Sequence, residues 1–196
     1  MAFTVERLSC PCCGFPVAVG DAECPAGHPL AITSFNSVTG MPLPMVNKYA
    51  NTFRSDLEQA PDDKALNFQI GICYLKLKLY DRALPAFEKA MEDNFDNSET
   101  FFYAAVCALG GKKAFLQSRP VIDKVEEYIN AAIMIEDRGI YHYFLAYIKN
   151  DYYARKYLNV SPNFMETMNT AEARGVSVAD KQMLFEMLGV ERPGNM

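Results

Sequence analysis

The chain contains no tryptophan and only two histidines, and its N-terminal part has almost no positive charge. Between residues 1 and 40, Arg7 is the only lysine or arginine. Because a phosphate-binding surface needs clustered cations, this argues against nucleic-acid binding by this part of the chain. The formal net charge of −5 and the isoelectric point near 5.1 argue against non-specific affinity for nucleic acid or anionic membranes.

Long apolar runs are also missing. No apolar run approaches the roughly 18 residues that a membrane-spanning helix needs. The sequence also lacks the pattern of a secretory signal, which is a cationic start followed by an apolar block. Four of the six cysteines lie between residues 10 and 24, while Cys73 and Cys107 lie inside apolar helical patterns. This distribution indicates a metal site and two buried thiols rather than a disulfide framework. We therefore expect a cytoplasmic protein without a membrane segment.

Familiar catalytic motifs are absent. The sequence has no phosphate loop, no nucleophile elbow and no carboxylate–histidine pattern at catalytic spacing, and Gly110-Gly111-Lys112 has the wrong spacing for a phosphate loop. His142 has no potential metal ligand at a suitable spacing. We expect a protein that is not an enzyme. One alternative stays open: Cys12, between Cys10 and Cys13, could act as a redox thiol if its pKa is lowered.

What the N-terminal part does contain is a pair of similar cysteine segments. The first reads Cys10-Pro-Cys-Cys13-Gly, and the second reads Cys24-Pro-Ala-Gly-His28. Two ligands at such spacing can chelate one ion, and the second segment offers a histidine in place of its second cysteine. We expect a structural zinc ion, Zn²⁺, bound by Cys10, Cys13, Cys24 and His28. Two alternatives remain: Cys12 could replace one ligand, or the segment could fold without metal.

Two such segments about a dozen residues apart resemble a zinc ribbon. The resemblance implies a small β module at residues 1–38, and the β-prone runs Phe3–Val5 and Leu30–Phe35 are expected to be its strands. Glycine and two prolines follow within Ser37–Pro44, which favours a linker at residues 39–44. The low positive charge favours a structural or protein-contact role for this module.

The central part, Asn67–Phe95, carries the clearest helical pattern. Its apolar and small residues recur at helical spacing on both sides of a pause at Leu79–Asp81, which predicts two amphipathic helices joined by a tight turn. The spacing of small and large residues resembles one tetratricopeptide repeat (TPR) unit, a repeat of about 34 residues; these residues are Gly71, Tyr74, Ala83, Phe87 and Ala90. The resemblance implies paired helices that approach closely at the small residues.

The same spacing extends in both directions from this unit. Before it, Met45–Ala60 matches the second helix of a truncated unit. After it, the matching helices are Ser98–Leu109 and Val121–Glu136, separated by an insertion at Gly110–Pro120. Because a single repeat cannot bury its apolar face alone, neighbouring units are expected.

A weaker third unit follows. It includes Leu145–Lys149, then a helix at Phe164–Arg174 capped by Gly175, and a last helix beginning at Ser177. We therefore predict a mainly α fold: a TPR-like α-solenoid of antiparallel helix pairs at residues 45–190, with a tail at residues 191–196.

In TPR arrays the first helix of each unit lines a concave surface. The resemblance therefore implies an apolar, aromatic groove without the cations and asparagines that hold a terminal carboxylate; its residues would be Phe68, Ile72, Leu75, Phe102, Val106, Leu109, Tyr141, Leu145 and Ile148. Either a partner peptide or helix binds there, or the chain fills the groove itself. The helix containing Met183–Leu188 and the inserted loop are the two candidates for internal filling.

Taken together, these patterns predict a non-enzymatic adaptor that binds another protein or peptide. The alternative is a nucleic-acid-associated regulator that uses the zinc ribbon. Lys112, Lys113 and Arg119 in the insertion could contact an acidic partner or a phosphate, although a solvated loop is the simpler interpretation. The sequence leaves the partner and the oligomeric state open.

Overall fold

The structure, a computed structural model, describes residues 8–196, so the expected strand at Phe3–Val5 lies outside the described residues. Within this range the chain is mainly helical and contains no β-strand. No helix in the described part is long and apolar enough to cross a membrane. The contacts divide the chain into two compact units, the first ending at Asp93 and the second comprising Asn94–Met196. The α-helices are α1 (Asn36–Thr39), α2 (Leu43–Gln59), α3 (Lys64–Lys76), α4 (Tyr80–Met91), α5 (Ser98–Ala108), α6 (Arg119–Ile135), α7 (Gly139–Ile148), α8 (Phe164–Ala173) and α9 (Val178–Leu188).

The expected helix pair in Asn67–Phe95 is present as α3 and α4, which pack against each other. The Asp63 side chain begins α3 by accepting a hydrogen bond of 2.9 Å from the Leu66 N–H. A three-residue turn centred on Lys78, with φ of 59°, separates the helices. A Cβ atom at Gly71 would lie 2.8 Å from the Phe87 ring, so the small residue permits the close approach that the sequence predicted.

The expected strand at Leu30–Phe35 is wrong, since these residues form bends and turns that lead into α1. The Ile32 N–H donates a hydrogen bond of 3.0 Å to the Gln69 side chain on α3 instead of to a neighbouring strand. Ile32, Phe35 and Val38 are 0% exposed. This segment therefore belongs to the core of the first unit, and α2 begins at Leu43, within the segment predicted as a linker.

The second unit contains two further packed pairs, α5 with α6 and α7 with α8. The bounds of α5, α6 and α8 agree with the expected helices to within two residues, whereas α7 begins six residues before the predicted stretch Leu145–Lys149. Gly139 begins α7, and a Cβ there would lie 2.7 Å from the Val176 backbone nitrogen and 2.8 Å from the Ala171 carbonyl oxygen. As in the first unit, a glycine allows close packing of a helix pair.

The chain between α7 and α8 departs from regular helix. A π-helical turn at Lys149–Tyr153 and a 3₁₀ turn at Ala154–Lys156 follow α7, and Tyr157 then adopts a left-handed conformation with φ of 57°. Helix α8 then begins at Phe164, after a capping box formed by Asn163 and Glu166. The predicted start of this helix at Phe164 is thus confirmed.

The last helix, α9, covers α7 and α5. Ser177 and Asp180 form its capping box, and Gly189 ends it with φ of 66°. The Phe185 ring packs edge-on against Tyr147 and Tyr143, with centroid distances of 5.2 and 6.4 Å. The predicted start at Ser177 is confirmed.

Candidate metal centre

The first cysteine segment folds into a tight turn. The Cys10 N–H donates to the Phe15 carbonyl at 2.8 Å, and the Gly14 N–H donates to the Cys10 carbonyl at 2.9 Å. Gly14 has φ of 72°, a conformation that glycine adopts without steric cost. An isolated antiparallel bridge between Ser9 and Pro16 closes the turn. The turn therefore places the Cys10 and Cys13 side chains beside each other.

The second segment repeats this backbone arrangement around a different ligand. The Cys24 N–H donates to the His28 carbonyl at 2.9 Å, and the Gly27 N–H donates to the Cys24 carbonyl at 2.8 Å. Gly27 has φ of 74°, and a bridge between Glu23 and Pro29 closes this turn. This turn is one residue shorter than the first, and the candidate ligand His28 follows the glycine, whereas Cys13 precedes it in the first turn.

The two turns bring four ligand atoms together. The thiols of Cys10, Cys13 and Cys24 and one nitrogen of His28 all lie within 4.8 Å of one another. The Cys13 and Cys24 Sγ atoms are 3.8 Å apart, and His28 Nδ1 lies 3.5 Å from Cys24 Sγ and 3.9 Å from Cys10 Sγ.

These separations can be compared with those in a tetrahedral shell. Zinc–sulfur bonds of about 2.3 Å and zinc–nitrogen bonds of about 2.0 Å imply S–S distances of about 3.8 Å and S–N distances of about 3.5 Å. The three distances given above agree with these values to within a few tenths of an ångström, and the other pairs of ligand atoms lie within 4.8 Å. The donor set therefore fits one tetrahedrally coordinated ion, and a Cys₃His group that could bind a metal is present.

Backbone groups around the cluster favour thiolates. The Cys12 N–H donates to Cys10 Sγ at 3.4 Å. Burial raises the pKa of the Cys24 thiol, but backbone hydrogen bonds at His28 and Ala26, together with the neighbouring thiols, lower this pKa overall to about 7. For Cys10 burial dominates and raises the pKa. Deprotonated sulfur is the form that binds metal, and a bound cation would favour it further.

Cys12 is not part of this group of ligand atoms. Its side chain is buried, and burial raises the pKa of its thiol. Cys73 on α3 is likewise buried, with its pKa raised to about 12 by burial. Reactive thiols have a lowered pKa and solvent access, whereas both of these thiols are buried and have a raised pKa.

Helix α2 holds both turns in place. The Tyr49 hydroxyl donates to the Pro29 carbonyl at 2.7 Å, directly after the ligand His28. The Thr52 hydroxyl donates to the Pro11 carbonyl at 2.9 Å, directly after the ligand Cys10. The sequence interpretation missed these two anchors, although a hydroxyl pair three residues apart on one helix face is a signal that could have been noticed.

The residues expected to line a groove lie mostly in the interior of their units. Phe68 is half-buried and the other eight are buried. In the second unit, Phe102 packs against Tyr141 and Phe144, with ring centroids 5.1 and 5.9 Å apart. The neighbouring α9 supplies the Met183–Leu188 segment that the sequence suggested as an internal filler.

Comparisons with protein-family models, with curated proteins and with solved structures found no match to this chain.

Proposed function

We propose that this protein is a non-enzymatic, TPR-like adaptor that binds another protein, and that its N-terminal cysteine segments hold a structural zinc ion. The observation that carries the proposal is the repeated packing of consecutive helices as pairs, α3 with α4, α5 with α6 and α7 with α8. Arrays of such pairs present extended surfaces to other proteins. The close contact at Gly71 supports the TPR-like spacing in the clearest unit.

Zinc is the metal that best suits the ligand group. Three thiolates and one imidazole at tetrahedral separations are typical of structural zinc sites. Four protein ligands would complete the coordination shell, so no position would remain for a substrate or an activated water. The ion would therefore tie the two turns to each other, with α2 supporting both of them through Tyr49 and Thr52.

All six cysteines are free thiols. Together with a thiolate-rich metal site, this supports a reducing compartment, and we include a cytoplasmic location in the proposal.

The metal assignment is tested by elemental analysis of purified protein and of two matched variants. Cys24→Ser removes a proposed ligand, and Cys12→Ser removes a neighbouring thiol that is not one. We expect one zinc per chain in the unmodified protein and in Cys12→Ser, and loss of zinc from Cys24→Ser. Zinc loss from Cys12→Ser with retention in Cys24→Ser would contradict the ligand assignment.

The adaptor function is tested by cross-linked affinity purification from the native cell, followed by reconstitution from purified components. We expect a partner protein that forms a complex of fixed stoichiometry with the purified full-length chain. A complex that forms only in the lysate and cannot be reconstituted would contradict the proposal. Turnover of a small molecule by the purified chain would contradict its non-enzymatic part.

A further inference from the structure

Two irregular segments of the second unit lie against each other. The first is the insertion at residues 110–120, whose last two residues begin α6, and the second is the short stretch after the π-helical turn, residues 154–158. The Lys156 ammonium group donates to the Gln117 carbonyl at 3.4 Å, and its nitrogen lies 5.4 Å from the centroid of the Phe115 ring. We call these two segments the cationic loop pair.

A buried carboxylate fixes the cationic loop pair to the end of α7. Asp151 is 3% exposed. One of its oxygens accepts a hydrogen bond of 2.9 Å from the Phe115 N–H and a longer one of 3.5 Å from the Tyr147 hydroxyl. The other oxygen pairs with Arg155 at 2.6 Å. A single buried group therefore anchors both segments, and their arrangement is built into the fold.

The surface of the loop pair carries excess positive charge. Arg119 is paired with Asp123 at 2.7 Å, and Arg155 is paired with Asp151. These pairings leave three further cations, the exposed Lys112 and Lys113 and the half-buried Lys156. The chain as a whole has a formal charge of −5, so this concentration of cations contrasts with the rest of the molecule.

Aromatic rings hold the cations on the second segment in place. The Arg155 guanidinium lies 4.2 Å from the centroid of the Phe115 ring. The Lys156 nitrogen lies 3.9 Å from the centroid of the Tyr152 ring. Such contacts restrict the side chains before any partner arrives, which lowers the entropy cost of binding.

Apolar side chains lie exposed among these cations. Leu116 is 69% exposed, Leu158 is 44% exposed and Tyr157 is 95% exposed. Tyr157 also has the left-handed conformation that glycine or asparagine adopts more easily. Its ring is not packed in the core, so a tyrosine at this position contributes little to folding. An exposed tyrosine offers a large contact area to a partner, and its few rotatable bonds keep the entropy cost of binding low.

We infer that the cationic loop pair is a docking surface for an acidic peptide segment of a partner protein, with apolar side chains interspersed among its carboxylates. This inference rests on the proposed adaptor function and assigns that function a surface. Charge complementarity favours an acidic ligand, and Leu116 and Leu158 favour aliphatic or aromatic side chains on it. Leu116 and Leu158 favour a peptide over a nucleic acid, because aliphatic side chains offer bases no stacking surface.

The test is selection from a displayed random-peptide library on the full-length, zinc-loaded protein. The enriched peptides are then synthesised with a fluorophore and titrated by anisotropy. We expect them to be rich in aspartate and glutamate with interspersed apolar residues, and their affinity to fall as salt is raised. The double variant Lys112→Glu with Lys113→Glu is expected to weaken binding by about tenfold or more.

Two further variants distinguish a direct effect on peptide binding from an indirect effect through loss of folded protein. Arg54→Glu with Lys64→Glu makes the same change in charge on α2 and α3 of the first unit, and is expected to leave peptide affinity unchanged. Tyr157→Asn removes the exposed ring but suits the left-handed backbone. It is expected to weaken peptide binding while the melting temperature is maintained or raised, which a purely structural role for Tyr157 would not produce.

Several results would overturn the inference. These are a library that yields no enriched peptide, enriched peptides without excess acidic residues, and peptide affinities insensitive to both the lysine and the Tyr157 variants. Tighter binding of a labelled single-stranded oligonucleotide, weakened by the lysine variants, would identify a nucleic-acid surface instead. If a purified partner still binds the lysine double variant fully, the docking inference fails while the adaptor proposal stands.

Discussion

Gly71 offers a direct test of how closely α3 and α4 approach. In Gly71→Ala, the added Cβ would lie 2.8 Å from one carbon of the Phe87 ring and 3.0 Å from two others. Real Cβ atoms essentially never come within 3.0 Å of another heavy atom, so the ring or the helix must move. Phe87 is 0% exposed and packs edge-on against Phe68, with ring centroids 6.0 Å apart. The ring therefore cannot move aside without displacing buried neighbours such as Phe68 or turning toward solvent from which it is now excluded.

Two opposing effects decide whether Gly71→Ala raises or lowers the free energy of unfolding. Alanine is favoured over glycine in a helix interior by about 1 kcal/mol, which would stabilise the protein at an open position. Overpacking a filled core costs about 1–3 kcal/mol. Because the clash is with a buried aromatic ring, we expect overpacking to dominate and the free energy of unfolding to fall by up to about 2 kcal/mol.

The measurement is guanidinium unfolding followed by far-ultraviolet circular dichroism, for Gly71→Ala, Phe87→Leu and the double variant. Leucine in place of Phe87 makes room for the new methyl group, so the double variant should lose less stability than the sum of the single variants. A coupling of about 1 kcal/mol is expected for groups in direct contact. An increase in stability for Gly71→Ala, as at an ordinary exposed helix position, would refute the close approach.

Four further predictions concern other parts of the chain. Gly139→Ala should cost more than about 2 kcal/mol, because its Cβ would meet the backbone of Val176 and Ala171 rather than a side chain, as thermal unfolding would show. Asp151→Ala should cost about 1–3 kcal/mol and increase hydrogen exchange at residues 114–117, because the Phe115 N–H loses its acceptor. Tyr157→Gly should raise the free energy of unfolding by about 1 kcal/mol, as thermal unfolding would show, because glycine adopts the left-handed conformation of this residue without strain. Chelation of the metal should increase hydrogen exchange at residues 10–35 and leave α7–α9 protected; uniform loss of protection would contradict this.

Local patterns allowed most of the helices to be predicted. The apolar periodicity of Asn67–Phe95 placed α3 and α4, and the small residue Gly71 predicted their close contact. Capping residues such as Ser177 gave helix starts that the structure confirms. The four candidate ligands also came from local spacing, because each turn positions its own pair of ligand atoms. These features depend on residues close together in sequence.

Features that depend on distant residues could not be predicted in this way. Leu30–Phe35 has the composition of a strand, yet in the structure Ile32 uses its N–H to bind Gln69, and the segment packs into the helical core. Similarly, nothing near Phe115 in sequence indicates that its N–H binds Asp151, 36 residues away. The insertion at Gly110–Pro120 was visible in the repeat spacing, but its contact with Lys156 required the fold.

The most direct test of the central claim is X-ray absorption spectroscopy at the zinc edge on the purified full-length protein, combined with metal quantification. We expect one zinc per chain with three sulfur neighbours at about 2.3 Å and one nitrogen neighbour at about 2.0 Å. A shell of four sulfurs would mean that Cys12 replaces His28. Protein purified without any tightly held metal, yet with the first unit fully folded, would contradict the claim that zinc organises Cys10, Cys13, Cys24 and His28.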